Sequence, residues 1–419
     1  MGSPNKLTYF ILSLMLLSPL LSYITFGLLD LNSINFYFQL IIYAYGIVFV
    51  FIYLRNLKFP LELFFLFLYI LYLFIWAFNN GEIERRGIWI VILNNINISI
   101  FFTLLIIYNS RFSDRFIKKT INIFKITVVL AAIASLLQVF YPDFLNAWTL
   151  YDPDKNYATS YLYLDRRTSI FGFIDPNEVG LSFIPLLAVL FGFMLFQTKT
   201  MTHIIYLIFG AMVAFLSNTR YVMVGWLIVT MMLAIYSNKK IIGFVRYIFI
   251  GLILFLVSYF ILSSLGYQLS EFYEERLFPE GSISESSRYI AFENFAIFFP
   301  RTPLYGTGVH LTAEIERASM AIGSSQIHVG YLSHLVSYGI IGSIFLFGFW
   351  FLLARKLYKT AKLTQYWGSF FAFLTYLWAQ ATLVNYSIFF YGLIFAFVFD
   401  KYFLDKYQES LRLKSQIHN

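Results

Sequence analysis

The chain has no cysteine in its 419 residues. Disulfides, thiolate nucleophiles and cysteine-ligated metals are therefore excluded, and any loop outside the lipid holds its shape without a covalent staple. Charge is the second scarcity. Only 12% of residues are Asp, Glu, Lys or Arg, against about 25% in a soluble domain. With 59% apolar residues and a mean hydropathy of +0.71, no water-soluble fold could hide this much apolar surface, so the bilayer has to be the solvent. The two halves carry no internal repeat, there is no low-complexity tract, and no spacing of His and carboxylates suits a metal. Gly306-x-Gly308 reads as a turn, because a nucleotide-binding loop needs a strand before it and a helix after it.

What is present is a series of apolar runs. A span needs about 20 apolar residues whose backbone polar groups are satisfied internally, and about twelve segments qualify: 8–28, 34–54, 60–78, 88–108, 121–141, 179–196, 203–218, 221–237, 245–266, 328–354, 366–385 and 387–403. The expected fold class is an all-α polytopic membrane protein, a single integral membrane domain over 1–419. The abundant Phe and Tyr are expected at the lipid and at its interfaces. Basic residues fall in alternate turns: Arg55 and Lys58; Arg111, Arg115, Lys118 and Lys119; Lys199; Lys239, Lys240 and Arg246; Arg355, Lys356, Lys359 and Lys362; then Lys401, Lys406, Arg412 and Lys414. Acidic residues gather in the other turns, including Glu82, Glu84, Asp143 and the run from Glu271 to Glu316. The bias predicts both termini in the cytoplasm, and no cleavable signal peptide is expected. The net charge of +8 is thus a topology signal, and no nucleic-acid partner is expected.

Two inserts stand out on the side opposite the basic turns. The first, 142–177, ends at Asp175-Pro176-Asn177-Glu178, where Asp175 suits an N-cap and Pro176 the first helical position. The second, 267–327, runs for about sixty residues where a few would turn the chain, which marks a lid, a binding surface or a catalytic wall. Within it, Arg288, Phe292, Phe295 and Phe299 would share one side of a short amphipathic helix along the membrane surface. A brief turn, Ser217-Asn218-Thr219-Arg220, puts a further arginine beside a helix start. Arg166 or Arg167 (Arg167 is favoured), Arg220 and Arg288 could then converge on His328, at the exit of the second insert.

Arginine suits a pyrophosphate because its planar fork offers two parallel donors and stays charged. An interfacial histidine has an ordinary pKa near 6.5, which leaves neutral imidazole available as a general base. Each arginine taken singly also reads as a lipid-headgroup or salt-bridge residue, and His328 as a structural interfacial one. His334, deeper along the same helix, reads as packing. Asn94, Asn95, Asn97, Gln138, Gln380 and Asn385 are polar groups at membrane depth that line a cavity or bond between helices.

Four stretches resemble the O-antigen polymerase and O-antigen ligase superfamily. They are Phe173-Ile174-Asp175-Pro176-Asn177-Glu178-Val179-Gly180; Leu216-Ser217-Asn218-Thr219-Arg220; Ser287-Arg288 through Pro300 to Tyr305-Gly306-Thr307-Gly308; and His328-Val329-Gly330-Tyr331-Leu332 with Tyr338-Gly339-Ile340-Ile341-Gly342. The likeness covers about residues 165–345. Val329 departs from the asparagine usual after the histidine, and Asn218-Thr219 from the common small-Ser pair.

The resemblance implies a GT-C-like fold with two external inserts in a bacterial inner membrane, its active site on the periplasmic side. It implies a glycosyltransferase of polysaccharide and lipopolysaccharide biosynthesis that takes undecaprenyl-pyrophosphate-linked glycans as donor and acceptor. Arg220, Arg288 and Arg167 would bind the pyrophosphate, and Arg288 and His328 would be catalytic. Asn177, Tyr331 and Glu293 would support them, Glu293 being the next candidate base. No metal or cofactor is implied; membrane lipids and a chain-length regulator are the further partners. Polymerisation of repeat units is the favoured reaction. Transfer of a finished glycan to lipid A core or to a protein is the near alternative, and transport of a lipid-linked oligosaccharide the alternative of another class.

Overall fold

In the computed structural model, residues 6–17, 21, 34–79, 83–84, 87–88, 91–92, 96–140, 179–197, 202–217, 219–236, 287–306, 329–381 and 391–417 are described. Every regular element among them is helical. In chain order the α-helices are α1 (Lys6–Leu16), α2 (Ile34–Tyr53), α3 (Leu61–Asn79), α4 (Ile96–Asn109), α5 (Asp114–Phe140), α6 (Ile184–Gln197), α7 (Thr202–Leu216), α8 (Arg220–Thr230), α9 (Met232–Tyr236), α10 (Ser287–Phe298), α11 (Gly330–Thr364), α12 (Gly368–Gln380) and α13 (Tyr391–Ile417). Among the described residues, four stretches are long and apolar enough to cross a membrane: Tyr37–Asn56, Leu61–Asn79, Asp114–Leu137 and Gly330–Thr364. Lys6–Leu16, Ile96–Asn109, Leu181–Gln197, Ile204–Leu216 and Arg220–Thr230 are shorter apolar helices. These are the features of a helical membrane protein. The predicted 245–266 span, the first insert and most of the second lie outside the described residues.

Burial follows from composition. α6 is apolar on every side, and such a helix belongs in a core; Ile184 through Met194 are all buried. Its largest neighbour is α12, and α13, α7, α8 and α5 surround it further. Glycine lets the two axes close up: a Cβ on Gly192 would stand 2.5 Å from the Gly368 Cα. Small residues serve this purpose in membrane bundles, where packing rather than water exclusion holds helices together. A single π-helical turn, Val179–Phe183, leads into α6. Pro185 accounts for it, since proline lacks the N–H and its ring crowds the carbonyl four residues back. On the outer faces of the long helices Phe51, Phe78, Phe351 and Ile126 are exposed, as lipid contact requires.

Cross-helix bonds sort the helix ends. Lys356 of α11 pairs with Glu62 of α3 at 2.5 Å and stands 3.2 Å over the Tyr108 ring of α4. Lys406 of α13 pairs with Asp114 of α5 at 3.0 Å. The Lys58 backbone N–H donates to the Asn109 Oδ1 at 2.7 Å. The Tyr9 hydroxyl of α1 accepts from the Ser113 N–H at 3.0 Å. The Tyr236 hydroxyl donates to the Gln365 carbonyl at 2.7 Å. The start of α1 and the end of α13 therefore share one end of the bundle with most of the basic turns.

One expectation needs correction. The 328–354 span continues helically to Thr364, so Arg355, Lys356, Lys359 and Lys362 lie on its last turns and not in a connecting loop. Four acidic residues, Glu62, Asp114, Asp400 and Asp405, also stand at the basic end, each beside a lysine.

Candidate functional site

The opposite end of the bundle is organised around a break in α11. Gly339 has φ 62° and ψ −170°, which divides the helix into 330–338 and 340–364. This is a region of backbone space open essentially to glycine alone. A break at membrane depth frees amides and carbonyls that lipid cannot satisfy. Here the turn after α10 satisfies them. The Ile340 N–H donates to the Pro303 carbonyl at 2.8 Å, and the Ile341 N–H to the Leu304 carbonyl at 3.2 Å. The turn closes on itself through the Gly306 N–H and the Thr302 carbonyl at 2.8 Å. Gly306 has φ 77°, and a Cβ there would stand 2.5 Å from the Gly339 amide nitrogen. Two glycine motifs separated in sequence are thus one contact in space.

α3 completes the junction from the other side. The Tyr72 hydroxyl lies 2.8 Å from the Tyr338 carbonyl and 2.9 Å from that of Tyr305. The Trp76 Nε1–H donates to the Tyr305 carbonyl at 2.8 Å. Trp76 and Tyr69 also meet the Tyr338 ring edge-on. Half-helices in transporters turn their free ends toward substrates; in this chain protein groups occupy those ends.

α10 packs on the first half of α11. Ala291 is buried with Val329 and Val336, and Phe295, Phe298, Phe299 and Leu332 close around them. Phe295 and Phe299 stack at 4.7 Å. The packed face is therefore Ala291, Phe295 and Phe298. Phe292, expected on the same side as Phe295 and Phe299, is instead 59% exposed, because the side of the helix that packs on α11 runs through Ala291. Asn294 is buried at 3% exposure, and its Nδ2 finds no hydrogen-bond partner among the described residues. Arg301 is exposed with its guanidinium 4.8 Å from the centre of the Phe298 ring.

Arg288 occupies the first turn of α10, three residues before Ala291. His328 lies outside the described residues, but the residue after it, Val329, packs on Ala291. Arg220 opens α8 and is exposed. Its turn is held by the Ser217 hydroxyl donating to the Ala214 carbonyl and the Thr219 hydroxyl donating to that of Ser217, each at 2.8 Å. α8 packs on α6, α7 and α12, whereas α10 packs on α11. Because α9 ends against Gln365, at the start of α12, Arg220 belongs to the other end of the bundle. That is also the end where the Tyr331 hydroxyl donates to the Leu377 carbonyl at 2.7 Å. Tyr331 thus ties the first half of α11 to α12. Glu293 is exposed on α10. Arg167 and Asn177 lie outside the described residues, as do Asp175 and Pro176. His334 is packing: it is 4% exposed among the rings of Trp350, Tyr338 and Phe347. Gln380 is fully buried at the end of α12.

Sequence reasoning passed over Tyr72, Trp76, Asn294 and Arg301. The first two sit in an apolar span where their hydroxyl and indole N–H look interfacial; their acceptors are the Tyr305 carbonyl of the turn after α10 and, for Tyr72, also the Tyr338 carbonyl at the break in α11. Comparison of the chain with protein-family models and with curated proteins finds no match.

Proposed function

We propose that the protein is a membrane glycosyltransferase that polymerises undecaprenyl-pyrophosphate-linked repeat units into a surface polysaccharide such as O-antigen, on a GT-C-like scaffold. One observation carries the reading. The helix that bears Arg288 in its first turn packs through Ala291 on Val329, the residue that follows His328. Arg220, at the same end of the bundle, adds a second guanidinium. In this reading the guanidinium forks hold the donor pyrophosphate and stabilise charge developing on it as it leaves. A sugar hydroxyl of the acceptor attacks the anomeric carbon, the carbon–oxygen bond to the pyrophosphate breaks, and His328 takes the hydroxyl proton. Direct displacement inverts the anomeric centre. The described part of the second insert, 287–306, supplies one wall against which two long substrates are aligned. The end of the bundle away from the basic turns would then face the periplasm.

The test is purified protein in lipid with a lipid-pyrophosphate-linked repeat unit, the products resolved by length. Polymer should form with the parent chain and vanish with Arg288→Ala or His328→Ala, both proteins still inserting in the membrane. Arg288→Lys should also be poor, since a point charge cannot reproduce the fork. Normal polymer lengths from His328→Ala would remove the base assignment. Transfer only to lipid A core would replace polymerisation by ligation, and transbilayer movement of the substrate without product would replace catalysis by transport.

A further inference from the structure

We infer that Tyr72 and Trp76 of α3 are positioning residues: by holding the 302–306 turn in the break of α11, they set where α10 and its Arg288 stand relative to the half-helix that follows His328. This rests on the functional reading above.

The mechanical chain is short. α10 runs into the turn without a flexible spacer, through the single 3-10 turn Phe299–Arg301. The turn is joined to the second half of α11 by the Pro303 and Leu304 carbonyls, and to α3 by the Tyr305 carbonyl. The first half of α11 is joined to α3 by the Tyr338 carbonyl, which accepts from the same Tyr72 hydroxyl that reaches Tyr305. One side chain therefore bridges the element that follows α10 and the element that follows His328. Trp76 duplicates the tie to Tyr305, so Tyr72 is free to direct its proton to Tyr338 without releasing the turn. Beyond this junction, α10 is held among the described residues by the small apolar cluster around Ala291, Val329 and Val336, which is separate from the main core. Apolar contact alone resists sliding poorly, because it is not directional; the hydrogen bonds define the register.

The absence of cysteine makes a direct test available. Cysteines introduced at Phe292 on α10 and Ile75 on α3, both largely exposed, would carry the only two spin labels. Their distance distribution is measured by pulsed electron resonance in lipid, in the parent and in Tyr72→Phe, Trp76→Phe and the double variant. Each substitution keeps an aromatic ring and removes one donor. The expected result is one narrow distribution in the parent, a broader one in each single variant, and the broadest in the double variant. Polymer formation should fall about tenfold or more in the double variant, as expected for a catalytic group displaced by a fraction of about 1 Å. An unchanged distribution in the double variant overturns the inference. So does a broadened distribution with undiminished polymer formation. Trp76→Phe alone, which keeps the Tyr72 bridge, covers the case in which the double variant fails to fold. If the labels behave as expected but the parent forms no polymer from any lipid-linked repeat, the junction stands and the glycosyltransferase reading falls.

Discussion

Replacing Gly339 by alanine should cost more stability than any other single methyl added to α11. Its φ of 62° with ψ of −170° lies where a side chain costs about 1–3 kcal/mol in backbone strain. The added Cβ would also meet the Leu304 carbonyl group and stand 2.6 Å from the Gly306 amide nitrogen. Those are backbone atoms and cannot rotate aside, so the turn has to withdraw. Withdrawal breaks the bonds from the Ile340 and Ile341 amides to the Pro303 and Leu304 carbonyls, each worth about 1 kcal/mol net. The total is about 3–5 kcal/mol. Reversible unfolding in mixed detergent micelles, titrated with a denaturing detergent, would measure it. Ile344→Ala, at a lipid-facing position 56% exposed, serves as a control and should change stability by no more than about 0.5 kcal/mol. Gly306→Ala should resemble Gly339→Ala, and the double variant should fall short of the sum by about 1–2 kcal/mol, because both open one contact. A loss below about 1 kcal/mol for Gly339→Ala, or strict additivity in the double variant, would refute the account of the break.

Two further outcomes concern the rest of the bundle. Lys356→Ala should destabilise by about 3 kcal/mol, since it leaves Glu62, whose side chain is only 8% exposed, without its counter-charge. Glu62→Gln combined with Lys356→Met should recover most of that loss in the same titration. Gly192→Ala should cost about 1–3 kcal/mol, because the methyl meets the Gly368 backbone at 2.5 Å and the α6–α12 pair has to part; a value near zero would mean the helices are free to shift.

That the chain is helical and carries runs able to cross a membrane was legible in composition and periodicity. Runs such as Leu61–Asn79 need no tertiary information, because a stretch that apolar has only lipid or a protein core to enter. The distribution of lysine and arginine likewise indicated which turns share an end, and the bonds among Lys58, Asn109, Asp114, Lys356 and Lys406 agree with it. Where α11 ends was not legible. Arg355 through Lys362 look like a connecting loop because charge marks span ends, yet charged residues are good helix formers once beyond the lipid. The face of α10 was misjudged for a related reason: a periodicity that includes Phe292 is consistent with either lipid or protein, and only the position of Val329 and Val336 decides between them.

By itself the sequence determined that the bilayer is the solvent, that helices are the currency of the fold, and that no thiol chemistry operates in it. These follow from residue type alone, because the cost of an unsatisfied peptide group or of exposed apolar surface is local. Only the tertiary structure decided that Gly306 and Gly339 touch, that Tyr72 and Trp76 close the break in α11, and that the Arg288 helix rests on the segment following His328. Such contacts join residues far apart in the chain. Their energy lies in hydrogen-bond direction and shape fit between elements, which spacing along one element does not encode.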